Sequence, residues 1–148
     1  MTLINYGYSV RLAAIDWYNH YRIGDTNIYD YAVDFNENIY VPGTIQCLSF
    51  QQKKRLAIGT GGAILLDDTH MYHTLKRLRH DGRDSSISVA HEMKMDGDNI
   101  TIGFHMYMSP DSAAKGTLLL NQPLPQFLPV SYRDYPDIST LGCFRKHI

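Results

Sequence analysis

The stretch SFQQKKRLAIGTGGAILLDD, residues 49–68, decides the fold. Residues 46–50 form a short apolar run with strand character, and residues 63–66 form another. Between them stand Lys53-Lys54-Arg55 and the glycine-rich Gly59-Thr60-Gly61-Gly62. Read alone, the basic triplet fits a solvated turn between strands. Its surroundings also fit chemistry. Ser49 ends a buried strand, polar Gln51-Gln52 follows, and the glycines let the backbone turn tightly or approach a ligand. A lysine at the mouth of an α/β sheet is placed to condense with an aldehyde, and partial desolvation there favours the free amine that attack requires.

Working outward, Asp67 or Asp68 caps a helix over residues 69–80, which Asp81-Gly82 ends. Met71, Leu75 and Leu78 face inward on it, while Lys76, Arg77 and Arg79 face solvent. Ser109-Pro110 opens a second helix that runs to about Asn121, because proline suits the first helical position. Upstream, residues 26–35 read as a strand. Residues 10–21 carry Val10, Ala13, Ala14, Trp17, Tyr18 and Tyr21 at helical spacing, with Gly24 as the stop. Residues 1–8 read as a short strand that turns at Gly7. Residues 85–102 are polar, and only a turn at Asp96-Gly97-Asp98-Asn99 stands out. Prolines at 123, 125, 129 and 136 make residues 123–148 an irregular tail. Strands alternating with helices predict an α/β fold, a mostly parallel sheet flanked by helices, in a single domain over residues 1–122.

Composition narrows the function classes. The 148 residues suffice for one core, and with 44% apolar and 20% charged side chains the chain has the profile of an ordinary globular protein. Fourteen basic against fifteen acidic residues give a net charge of −1, so a nucleic-acid surface is not expected. Two cysteines, Cys47 and Cys143, make no disulfide framework. No 18-residue apolar run or leader pattern is present, so the reading is a cytoplasmic protein with no membrane partner. His70 and His73 share a helix face and His80 follows, yet no Cys, Asp or Glu set completes a metal site. His91-Glu92 lacks the second histidine of a zinc motif, since position 95 is Met95. The glycine stretch fits neither GxGxxG nor the P-loop.

The residues from Ser49 onward resemble the lysine motif of the DegT/DnrJ/StrS sugar aminotransferases, a branch of the fold type I pyridoxal-phosphate enzymes. That motif runs Ser-Phe, three residues, the reactive lysine, a Leu two residues on, then Gly-x-Gly-Gly before a strand. Counting from Ser49 places the lysine at Lys54 and the leucine at Leu56, with Lys53 as a neighbour. LKRLRHDGRD (75–84), GFHMYMSPDSAAKGTLLLNQ (103–122), IYDYAVDF (28–35) and NYGYSV (5–10) resemble further family segments in the right order. The resemblance thus covers about residues 3–122. It implies part of the large domain of a pyridoxal-phosphate transferase that moves an amino group, typically from glutamate, to a keto-sugar carried on a nucleotide. It also implies roles. Lys54 would condense with the cofactor aldehyde and then carry the proton; Asp30 would pair with the protonated ring nitrogen. Ala32 would sit behind the ring, and Ser49 would bind the phosphate.

This sequence departs from the pattern in places. Val33 stands where the family usually has Gln or His. His105 replaces the Asn that reaches the phosphate of a neighbouring subunit, Tyr107 replaces the following Arg, and Thr60 replaces a frequent Glu. Relatives also carry a longer N-terminal section and a C-terminal domain, so the resemblance implies a pocket completed by a homo-oligomer or a complementing chain. The alternative is a non-catalytic remnant of the fold that serves as a binding or assembly subunit.

Overall fold

The computed structural model describes residues 2–84, 101–142 and 144. In chain order the described elements are helix α1 (Thr2–Asn5), strands β1 (Tyr21–Arg22), β2 (Ile28–Asp30), β3 (Ile45–Ser49) and β4 (Gly62–Leu65), helix α2 (Thr69–Leu78) and helix α3 (Pro110–Leu120). Two 3-10 turns, Tyr132–Asp134 and Ile138–Thr140, interrupt an otherwise irregular C-terminal stretch. The expected turn at Asp96-Gly97-Asp98-Asn99, the His91-Glu92 pair and Cys143 lie outside the described residues.

The strands form one sheet in the order β1-β2-β3-β4. Only β2 and β3 are parallel; β1–β2 and β3–β4 are antiparallel. The expectation of a mostly parallel sheet is therefore corrected to a mixed one among the described strands. Residues 23–27 turn the chain straight back and make an antiparallel pair, and residues 31–44 give the crossover that a parallel pair needs. Residues 50–61 are nearly as long but fold back through the lysine loop and its glycines to pair β4 antiparallel.

The strand over residues 45–49 shows period-two burial: Gln46 and Leu48 are buried, while Ile45, Cys47 and Ser49 are half-exposed. Leu48 joins Tyr31, Phe50, Leu56 and Ile58 in the core. Helix α3 closes this core with Leu119 and with buried Gly116, which lies beside Ile58. Ser109 caps α3 by accepting from the Ser112 N–H, and Pro110 occupies its first turn, as expected. Asp68 caps α2 by accepting from the Met71 N–H. Helix α2 buries no residue completely; Met71, Leu75 and Leu78 are half-buried.

Two N-terminal expectations are overturned. Residues 1–8 are not a strand: α1 ends in a left-handed turn at Gly7 (φ 81°), with the Tyr8 N–H donating to Leu3 O and the Gly7 N–H to Ile4 O. Residues 10–21 are not a helix either. Asn19 has φ 62°, its N–H donates to Val130 O, and the Tyr132 N–H donates to Trp17 O. The backbone groups that a helix would use are taken by a segment more than a hundred residues away, and Tyr21 enters the sheet opposite Asp30.

Candidate functional site

The site begins where the two parallel strands end. Asp30 is the last residue of β2, Ser49 is the last of β3, and Asp30 lies opposite Cys47. Because β2 and β3 run parallel, both termini sit at one edge of the sheet, the edge where α/β sheets bind ligands. Side chains alternate along a strand, so Asp30, Cys47 and Ser49 share the face opposite Leu48.

Both oxygens of Asp30 accept hydrogen bonds. Its Oδ1 accepts from the Ala32 N–H at 2.8 Å, a local turn that aspartate favours. Its Oδ2 accepts from the Tyr21 hydroxyl at 2.8 Å. Burial, followed by the bond to and the charge of Asp30, pushes the Tyr21 phenol up to about 12. Burial likewise pushes the Cys47 thiol up, and the Asp30 carboxylate adds to this. Ala32 is thus tied to Asp30 through its backbone.

Lys54 stands on the loop leaving β3. The Lys54 N–H donates to Gln51 O at 2.8 Å, and the Gln51 side chain accepts from the Lys53 N–H at 2.9 Å, which together tighten the turn. Lys53 is exposed and Lys54 half-buried. Among the described residues neither lysine forms an ion pair. The loop returns to β4 through Gly59 (φ 111°) and Gly61 (φ 88°), which need glycine, and through Gly62, where any Cβ would collide with the Leu48 carbonyl.

Lys54 opens onto a groove of about 530 Å³. Val33, Gln51, Lys53 and Arg55 line one side of it, and Pro125, Gln126, Phe127, Leu128, Val130 and Tyr135 line the other. Asp30, Ser49 and His105 are not among its lining residues. The structure therefore brings Asp30, Ala32 and Ser49 to one sheet edge and sets Lys54 on the adjoining loop. His105 stands apart, against the end of α2. It bridges to His80, its Nδ1 lies 3.3 Å from Asp81 Oδ2, and its ring is 4.3 Å from that of Tyr107.

Sequence reasoning missed three participants. Tyr21, read as a helix core residue, holds Asp30. Arg55, read as part of a basic triplet, donates from Nη1 to Phe35 O and Asn36 Oδ1 and from Nε to Pro125 O, each at 2.7 Å. His20 pairs with the buried Asp34 at 2.8 Å and stacks on Tyr31 with ring centroids 4.2 Å apart. No local signal marks these partners, because each contact joins separate segments. Among the described residues no three His, Cys, Asp or Glu side chains gather as a metal site, and no helix is long and apolar enough to cross a membrane.

A lysine thus stands on the loop leaving a central strand, with a carboxylate ending the parallel neighbour. The model of the DegT/DnrJ/EryC1/StrS aminotransferase family matches residues 36–123, more than half of the chain, and the chain belongs to that family. The match includes Ser49, Lys54 and His105 and begins downstream of Asp30 and Ala32. No curated protein and no solved structure matches the chain.

Proposed function

We propose that this chain carries the amine-and-carboxylate part of a pyridoxal-phosphate aminotransferase site that moves an amino group to a keto-sugar linked to a nucleotide. The observation that carries the reading is the position of Lys54. It lies within the family-matched stretch, half-buried, on a loop that leaves β3 beside the Asp30 strand end. The donor set suits the cofactor: an amine without an ion-pair partner, a carboxylate held in one orientation by Tyr21 and the Ala32 N–H, and a hydroxyl at Ser49. Each carboxylate oxygen keeps a further lone pair for a ring N–H. When bound, the cofactor withdraws electrons from the carbon that loses its proton. Lys54 supplies the amine and moves that proton; Asp30 holds the ring-nitrogen proton by charge; Ser49 binds phosphate oxygen; Ala32 leaves room behind the ring.

Further partners belong to the same reading. The groove at Lys54 meets none of Asp30, Ser49 and His105, and on this reading a second chain completes the pocket. A two-fold homodimer through residues 103–122 is the simplest form, because Phe104, Met106, Leu118 and Leu120 of that segment are exposed apolar side chains. Light scattering on the purified chain should give a dimer or larger; a monomer at micromolar concentration defeats this part of the reading.

A second reading, a non-catalytic binding or assembly subunit of the same family, is favoured by Val33 on the groove wall and by His105 held against α2. One experiment separates the two. Pyridoxal phosphate is added to the chain, and the visible absorbance band is followed before and after borohydride. The aminotransferase reading expects a band that borohydride removes, with the label fixed on Lys54, lost in Lys54→Ala and kept in Lys53→Ala. A featureless spectrum leaves the second reading. A label on Lys53 alone moves the motif by one residue.

A further inference from the structure

We propose that residues 125–130 form a strap across the Lys54 groove and that Arg55 is the positioning residue that latches it, so that the strap sets which molecules reach the Lys54 amine. Four observations carry this. First, the far wall of the groove consists of the strap, chiefly Gln126, Phe127 and Leu128, together with Tyr135. Second, the strap is pinned at both ends. At one end Arg55 donates from Nε to Pro125 O at 2.7 Å. At the other, the Val130 N–H donates to the Asn19 side chain at 3.0 Å and Val130 O accepts from the Asn19 N–H at 2.7 Å. Third, the same guanidinium is fixed from behind by Phe35 O and Asn36 Oδ1, and the Phe127 ring lies 6.0 Å from it. Fourth, the strap lies beyond the family-matched residues, whereas Lys54 and Arg55 lie within them. The strap side of the groove therefore lies outside the family-matched stretch.

The physics favours a latch over a passive contact. A planar guanidinium places several donors in fixed directions, and here it joins the crossover after β2 to the C-terminal stretch while its backbone neighbour is Lys54. The strap itself buries no side chain fully: Phe127 and Val130 are half-buried, and Leu128 is 71% exposed. Segments with so little buried apolar surface open well below the cost of global unfolding. Release of Arg55 frees the wall without dismantling the core.

The relevance of the strap rests on the reading of Lys54 as the condensing amine, but the geometry does not, so the test uses no cofactor. The full chain is treated with a limiting amount of acetic anhydride, and acetylation at each lysine is measured by peptide fragmentation. Lys76 on α2, outside the groove, is the internal reference. In Arg55→Ala the Lys54-to-Lys76 ratio should rise roughly three- to tenfold, the factor that one or two net hydrogen bonds represent. Lys76 itself should stay as in the parent. An unaltered ratio overturns the proposal. If Lys76 rises as well, the variant has lost its fold and Phe127→Ala decides, since it removes the ring and part of the wall but keeps all three guanidinium bonds. A higher Lys54 ratio there supports the strap, and no change overturns it. Borohydride trapping of pyridoxal phosphate on Lys54 is read separately, so the strap and the aminotransferase reading can fail independently.

Discussion

The unit from β3 through the lysine loop to β4 and the paired chain flanks are held by different forces. In the first, Leu48, Phe50, Leu56 and Ile58 supply four of the five buried apolar side chains among the described residues, and the strands pair over four residues. In the second, residues 16–21 meet residues 130–135 through a few backbone bonds and through Trp17, whose ring lies 5.5 Å from Tyr21 and 5.4 Å from Tyr135. None of these three aromatic residues is fully buried. The core unit carries Lys54, while the flanks carry Tyr21, which orients Asp30, and the strap that faces Lys54. Stability is thus concentrated in one region, and the geometry of the site depends on both.

The sharpest break of this contrast is a pair of truncations. Leu56 is 2% exposed in the centre of the core, so Leu56→Ala should cost about 2–5 kcal/mol, the range for a buried leucine whose cavity does not collapse. Trp17→Ala should cost about 1–2 kcal/mol, the ordinary range for a partly exposed contact. Urea unfolding followed by circular dichroism measures both. If the tryptophan change costs as much as the leucine change, the flanks belong to the core and the contrast falls.

The same contrast explains what was legible in the sequence. Residues 45–49 alternate buried and half-exposed side chains, and the glycines at 59, 61 and 62 sit where backbone angles or close approach require them. Those signals are local, so the two strands, both helix caps and the lysine loop could be read directly. Residues 10–21 have helical spacing, but their hydrogen-bond partners lie in residues 130–132, and no local pattern encodes that pairing. The sheet's direction was misread for a related reason: alternation of elements suggests crossovers, yet the chain comes back antiparallel through 23–27 and 50–61, and no local pattern marks that return. At the site, the resemblance to the family's motifs proposed Lys54, Asp30 and Ser49. It could not identify Tyr21 or Arg55, whose roles come from cross-segment contacts.

A smaller effect tests whether the flank truly holds the site. Tyr21→Phe removes the hydroxyl that donates to Asp30 and should cost about 1 kcal/mol near neutral pH. The pH dependence has a definite sign. The Tyr21 phenol is raised from 10.0 to about 12 in the fold, so folding favours its neutral form. That contribution is complete below pH 10 and is lost as pH rises through about 12. Denaturation midpoints between neutrality and pH 12 should therefore fall less steeply for Tyr21→Phe than for the parent. Parallel alkaline limbs would detach Tyr21 from Asp30.

The smallest expected effect probes the sheet face itself. Cys47 lies opposite Asp30, and its thiol is pushed up first by burial and then by the carboxylate. Asp30→Asn removes the second cause and leaves the first. The amide keeps an oxygen for the Ala32 N–H, and its NH2 can donate to the Tyr21 hydroxyl oxygen in the reversed direction, so the local turn should survive. More thiolate should then form at mildly alkaline pH, and iodoacetamide should label Cys47 slightly faster than in the parent. The rate should still fall short of that for Cys47 in urea, because burial persists. Added salt should narrow the difference between parent and variant, since part of the carboxylate's influence passes through solvent. Peptide mapping isolates Cys47 from Cys143. A slower or unchanged rate in Asp30→Asn would place the carboxylate away from Cys47, and with it would go the shared face on which Asp30, Cys47 and Ser49 are grouped.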